Sequence, residues 1–121
     1  MATGRADLTI YQGDDMAWTV FVSLEDGVTP ADITGYTALA QIRRSVADSD
    51  PVVVATMTSA VVSPNVSLSL THDQTELLCG RYVWDLQLTS PEDIVTTILQ
   101  GNVKVTAEVT REVTPLMAMM S

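Results

Sequence analysis

Residues 82–89 read YVWDLQLT, the most regularly alternating stretch of the chain. Tyr82, Trp84, Leu86 and Leu88 occupy one side of this pattern, and mostly polar residues occupy the other. An apolar residue at every second position is typical of a strand with one buried face. We therefore predict a central strand here, with the Trp84 side chain in the core.

A turn and a return strand follow. Residues 90–93 read SPED, and proline suits the second position of such a turn. Alternation resumes from Ile94, is interrupted at Gly101 and continues through Val103 and Val105. An interior glycine of this kind indicates a β-bulge or a strand that passes from one sheet to another. We predict one of these irregularities at Gly101.

A short helix is predicted immediately before the central strand. Between Thr71 and Gly80 the two-residue period gives way to helix-start and helix-stop signals. Thr71 with Gln74 forms one candidate capping box, and Asp73 with Glu76 forms a second. Glycine is the usual residue just beyond a helix end. We place a connecting helix here, across one end of the fold.

Five further stretches have strand character because apolar residues alternate within them or because they are rich in valine. In one of them Met16, Trp18, Val20 and Val22 share a face. Turn-forming Gly, Asp and Pro residues separate the stretches. They are residues 7–12, 16–23, 36–42, 52–58 and 66–70.

These elements predict an all-β protein, an antiparallel immunoglobulin-like β-sandwich of about seven strands with one short connecting helix. A length of 121 residues suits a single domain with one core. We divide the chain into an N-terminal arm at 1–6, the sandwich domain at 7–111 and a methionine-rich tail at 112–121. Cys79 is the only cysteine, so no intrachain disulfide can form and the fold must depend on packing.

The composition limits the classes of partner. Hydrophobic residues make up 46% of the chain and charged residues 17%, which excludes a highly charged, disordered chain. The formal net charge is -9, so the average field repels phosphate backbones and anionic lipid. No apolar run approaches the ~18 residues that span a bilayer, and no signal-peptide pattern begins the chain. We expect no nucleic-acid partner, no membrane and synthesis in a host cytoplasm.

The chain has few of the residues that catalysis or metal binding needs. His72, the only histidine, lies at the predicted helix start, and we interpret it as an exposed residue rather than a general base. One histidine and one cysteine cannot complete a zinc site, and the paired acidic residues lack calcium-loop spacing. No glycine-rich phosphate loop occurs. We predict no catalytic residue, no cofactor and no metal, and we interpret Asp85 as facing outward or pairing across the sheet with a residue such as Lys104.

Two features are candidates for contacts with other proteins. Arg43 and Arg44 form the one basic pair of an acidic chain, so they are either a contact to an acidic neighbour or a solvated strand end. Methionine packs adaptably into irregular grooves, so the apolar tail is either an arm laid on a neighbour or a frayed terminus. The tail residues proposed for the interface are Leu116, Met117, Met119 and Met120.

Several strings, in their order and spacing, carry a family resemblance. They are DITGY at 32–36 with AQIR at 40–43, GRYVWDLQL at 80–88, ILQGNVKV at 98–105 and VTR at 109–111. Together they resemble small β-sandwich proteins of tailed phages, in particular the N-terminal domain of phage baseplate upper proteins, over residues 7–111. The resemblance implies a virion structural protein without a cofactor, held in place by tail, baseplate or capsid subunits.

On this basis we expect a non-enzymatic subunit of the phage tail, baseplate or tail-fibre attachment region. It would act through contacts with other virion proteins and form a homo-oligomer, as a trimer or a ring. A capsid decoration protein is one alternative. A carbohydrate- or ligand-binding sandwich is another, but a sugar platform needs exposed aromatic rings, and the alternation leaves only Tyr11 and Tyr36 for that role.

Overall fold

The computed structural model describes residues 4–24, 26–44 and 53–107. These ranges form an all-β sandwich of two sheets with one short helix, so the predicted fold class is confirmed. Its immunoglobulin-like character stays a prediction. No helix in these ranges is long and apolar enough to cross a membrane. The elements are β1 (Gly4–Arg5), β2 (Leu8–Tyr11), β3 (Met16–Phe21), β4 (Thr37–Arg43), β5 (Val53–Thr56), β6 (Thr58–Val62), β7 (Asn65–Leu70), α1 (His72–Glu76), β8 (Gly80–Thr89) and β9 (Val95–Thr106).

The larger sheet, sheet A, is built around β8 and β9. Its strands follow the order β1, β9, β8, β4, β5. β2 pairs with the same edge of β9 as β1 does, farther along that strand. The pairs β9–β8, β8–β4 and β4–β5 are antiparallel, whereas β1 and β2 run parallel to β9. The predicted central position of β8 is confirmed, and Trp84 is only 4% exposed.

The smaller sheet, sheet B, contains β3, β7 and β6 in that order, all antiparallel. Its inward residues close the core from the other side, with Val66, Leu68 and Leu70 of β7 buried. Met16, Trp18 and Val20 pack against that core from β3, as the alternation predicted. One continuous apolar core therefore lies between the two sheets.

The chain passes from sheet A to sheet B at Met57. We predicted one strand over residues 52–58, which is wrong, because β5 ends at Thr56 in sheet A and β6 begins at Thr58 in sheet B. Met57 is buried between them, and its N–H donates to the carbonyl oxygen of Ala40 at 2.9 Å. This division, together with the two-residue β1, raises the number of strands in the described residues to nine, against about seven predicted.

Gly101 is the place where the N-terminal segment approaches β9 most closely. A Cβ atom on Gly101 would lie 1.9 Å from the carbonyl oxygen of Ala6. The Trp84 indole N–H donates to that same oxygen at 2.8 Å, and the Ala6 N–H donates to the Gln100 carbonyl at 3.0 Å. We predicted a bulge or sheet switch at Gly101, but β9 runs straight through it and the register shift lies between Leu86 and Gln87. The glycine is required because backbone passes over it.

The N-terminal boundary also differs from the predicted one. Gly4 and Arg5 were assigned to an arm at 1–6, but they pair with Leu99 and Gln100 of β9. The sheet therefore begins at Gly4 in the described part of the chain.

The predicted helix is confirmed over His72–Glu76. Thr71 is its N-cap and forms a capping box with Gln74, which selects the first of the two candidate boxes. The helix ends before Gly80, which opens β8 with a φ of 94°. The buried Thr75 hydroxyl donates to the Asp14 carbonyl at 2.8 Å and accepts from the Gly13 N–H at 3.1 Å. These bonds hold α1 against the turn between β2 and β3.

We expect Gly101→Ala to lower the free energy of unfolding by about 1–3 kcal/mol, because the new methyl group must displace the backbone at Ala6. Gly4→Ala is the matched control, since its Cβ would meet the movable end of Leu99 at 3.1 Å and the Ile98 carbonyl oxygen at 3.5 Å, an ordinary contact distance. Urea unfolding of both variants measures the difference. Equal stability of the two variants would contradict the close approach.

Candidate interaction surfaces

The outer face of sheet B carries no charged side chain. Its three strands present small or uncharged residues outward in three cross-strand rows. We call this surface the neutral face. Its residues are Ala17, Ser69 and Thr58 in one row, Thr19, Ser67 and Ala60 in the next, and Phe21, Asn65 and Val62 in the third.

The edges of sheet B lack the usual protection against pairing with another chain. Natural edge strands commonly carry charge, proline or a bulge. Neither β3, which reads MAWTVF, nor β6, which reads TSAVV, contains a charged residue or proline. Within the described ranges no further strand pairs with either one. Phe21 is 50% exposed and Val62 is 67% exposed at one end of the same face. β6 also contacts β4, where the Ser59 hydroxyl donates to the Ala38 carbonyl at 2.9 Å. The edge of β3 and the Val62 end of β6 are therefore suited to being covered.

The outer side of sheet A is basic by contrast. Every Lys and Arg residue of the described ranges lies there. Three of them, Arg44, Arg81 and Lys104, line an open groove of about 490 Å³ together with Asp7 and Asn102. We call this site the basic groove. The structure therefore places Arg44, a predicted contact residue, beside two cations that were not predicted as contact residues.

Arg81 and Lys104 are direct partners in the pairing of β8 with β9. Like charges directly opposite each other on a sheet are destabilising. No carboxylate lies within ion-pair distance of either residue in the described part of the chain, whereas Arg5 pairs with Asp7 at 3.4 Å. The two cations are therefore not neutralised by the described residues.

Arg43 is not among the residues that line the groove. It is half-buried, stands opposite Val83 and donates to the side-chain oxygen of Gln41 at 3.1 Å. Asp85 lies opposite Gln41 and Gln100, so Lys104 is not the cross-strand partner that we suggested. Burial raises the pKa of Asp85, and the Arg43 guanidinium partly opposes this shift.

His72 joins α1 to the turn before β3. Its backbone N–H donates to Asp15 Oδ1 at 2.6 Å, and its Nδ1 lies 3.0 Å from the same oxygen. Its Nε2 lies 3.5 Å from Asp73 Oδ1. The hydrogen bond that the His72 ring donates to Asp15 is the main cause of the raised pKa of His72, to which the charges of Asp15, Asp73 and Glu76 add. The bonds from His72 lower the pKa of Asp15 in turn. His72 and Asp15 thus connect α1 to the turn before β3, and we call this pair of residues the His72–Asp15 clasp.

The described ranges contain no group of three or more His, Cys, Asp or Glu residues placed to hold a metal ion. Cys79 is exposed and is not in a disulfide. The predicted interface residues Leu116, Met117, Met119 and Met120 lie outside the described residues, so their role stays a prediction.

Comparison with protein-family models finds no match, and comparison with curated protein sequences finds none either.

We expect Lys104→Glu to raise the free energy of unfolding by about 0.2–1 kcal/mol, because it replaces a like-charge pair with an opposite-charge pair beside Arg81. Arg5→Glu makes the same charge change, but Arg5 already pairs with the Asp7 carboxylate, so this substitution should not stabilise the fold. Urea unfolding at low salt measures both. Destabilisation by Lys104→Glu would contradict the assigned pairing.

We expect the His72–Asp15 clasp to stabilise the fold mainly between pH 3.8 and 6.5, the ordinary pKa values of the two groups. The contribution of Asp15 is lost as the pH falls through its lowered pKa. The contribution of protonated His72 is complete below 6.5 and is lost as the pH rises through its raised pKa.

Thermal unfolding of the original chain and His72→Gln measures this. The stability difference between them should be larger near pH 5.5 than near pH 8.5. An equal difference at both values would show that the ionised clasp contributes nothing.

Proposed function

We propose that the chain is a non-enzymatic structural subunit of a tailed-phage virion, in the tail, baseplate or tail-fibre attachment region, that acts through protein–protein contacts. The observation that carries the contact role is the neutral face with its two unprotected edges. The resemblance of the strings at 32–43, 80–88 and 98–111 supports the virion setting.

The neutral face has the composition of an interface core. Charged residues are depleted at the centres of protein interfaces, and this face has none in a chain of net charge -9. A neighbour would also satisfy the free edges of β3 and β6 by strand pairing. Closed rings or trimers cover such edges in every copy, which favours a homo-oligomer.

The neutral face is too small to form a stable interface by itself. Three strands of five or six residues cover roughly 14 by 20 Å, or about 300 Å². A typical stable interface buries about 800 Å² on each partner. The contact must therefore extend to adjoining surface, and the loop after β3 supplies apolar area, with Leu24 50% and Val28 77% exposed.

The only histidine supports a role without catalysis. Its two ring nitrogens face the carboxylates of Asp15 and Asp73, and its backbone is bonded to Asp15 as well. A general base oriented by one carboxylate acts on a nucleophile through its second ring nitrogen, and here that nitrogen faces the Asp73 carboxylate at 3.5 Å. The clasp gives His72 a structural task.

The virion setting is tested on particles purified from lysed producing cells. We expect mass spectrometry to find the chain in tail-containing particles, in a fixed ratio to tail proteins. Recovery with tailless capsids would favour the decoration alternative. Absence from all particles would contradict a virion role.

The contact surface is tested by placing a charge at its centre. We expect Ala60→Lys and Thr19→Lys each to reduce the oligomer to its protomer mass, because a lysine there must be buried without a partner. Gln100→Lys, on the exposed side of sheet A, is the matched control and should leave the mass unchanged. Size-exclusion chromatography with light scattering gives the masses.

Two results would contradict this proposal. One is a protomer mass for the unmodified chain at every concentration. The other is an oligomer that survives both neutral-face substitutions.

A further inference from the structure

We propose that the basic groove of sheet A binds an acidic segment of another protein. The proposal concerns the opposite face of the sandwich from the neutral face. It can therefore fail while assembly through sheet B stands, and the reverse also holds.

The charges of the described residues are segregated. Of their acidic side chains, only Asp7 and Asp85 lie on the outer side of sheet A, and the others lie in turns or on α1. Asp7 is engaged by Arg5 at 3.4 Å and by the Asn102 N–H at 2.9 Å. Asp85 is half-buried on the same strand, four residues along from Arg81. The cations of the groove are therefore not matched by either carboxylate.

The groove contains an unfavourable pairing of two like charges. Arg81 and Lys104 stand directly opposite each other, and Arg44 joins them along the same groove. A local conflict that the described residues do not compensate is a feature that functional sites commonly show. A ligand with carboxylates would neutralise the two cations. Part of its binding free energy would come from removing the repulsion between Arg81 and Lys104.

The spacing of the cations fits an extended acidic peptide. Neighbouring strands lie about 4.8 Å apart, so the three basic residues span roughly 10 Å across the sheet. Two or three carboxylates on an extended segment cover a similar distance. The groove also reaches Thr9 on β2, at the edge of sheet A, which leaves room for a segment to continue past the groove.

Nucleic acid fits the site less well. A single strand binds through stacking on exposed aromatic rings as well as through its phosphates. Tyr82 is the one aromatic residue lining the groove, and it is half-buried with its hydroxyl accepting from the Cys79 N–H at 2.9 Å.

The probe is a fluorescent peptide of about eight residues that alternates Glu with Ser, and its neutral counterpart alternates Gln with Ser. Fluorescence anisotropy on the full chain measures binding at low and at physiological salt. We expect the acidic peptide to bind at least about tenfold more tightly than the neutral one, and its affinity to fall as salt screens the groove.

Variants identify the groove as the site. We expect Arg81→Glu and Lys104→Glu each to weaken binding by about tenfold or more. Arg5→Glu makes the same change of charge at a residue that does not line the groove, although its partner Asp7 does. It should therefore weaken binding clearly less than Lys104→Glu at physiological salt. Urea unfolding of each variant confirms that it is folded, and Lys104→Glu should be at least as stable as the original chain.

Three results would overturn the proposal. The first is equal affinity for the acidic and neutral peptides. The second is equal weakening by Arg5→Glu and Lys104→Glu, which would show a non-specific charge effect. The third is tighter binding of an oligothymidine of equal charge, which would make the site a polyphosphate site. If Lys104→Glu instead lowers the oligomer mass and the peptide does not bind, the groove is a contact between copies of this chain.

Discussion

The hydrogen bond from the Trp84 indole to the Ala6 carbonyl organises sheet A, because it joins three backbone segments at one point. Trp84 stands opposite Gly101, and Ala6 passes over that glycine. β1 and β2 pair with β9 on either side of this crossing, with the same offset in register. A core side chain thereby satisfies a carbonyl group that leaves the strand ladder. The absence of a side chain at Gly101 makes the approach sterically allowed.

Alternation and capping signals predicted the main elements for local reasons. The buried side of β8 and the capping box of Thr71 with Gln74 depend on neighbouring residues alone. The crossing at Met57 could not be predicted in this way, because a strand that changes sheets keeps its β composition throughout. The glycine at 101 was recognised as special, but the reason for it lies with Ala6, far away in sequence.

The basic groove could not be predicted from the sequence, for a related reason. If pairing is counted back from the hairpin at 90–93 without interruption, Arg81 stands opposite the apolar Val103. The shift between Leu86 and Gln87 moves the register by one residue and brings Arg81 opposite Lys104 instead. The outer faces of the two sheets therefore differ in charge. The neutral face suits burial against a flat, uncharged partner surface, whereas the groove suits contacts that depend on charge and salt.

We propose that the edges of sheet B are covered in the assembled state. Hydrogen–deuterium exchange of backbone amides tests this most directly, by comparing the dilute isolated chain with the chain in purified virus particles. We expect slower exchange in the particle at 16–21 and 58–62, with the already paired amides of β8 little changed. Unchanged exchange at both edge strands would contradict it.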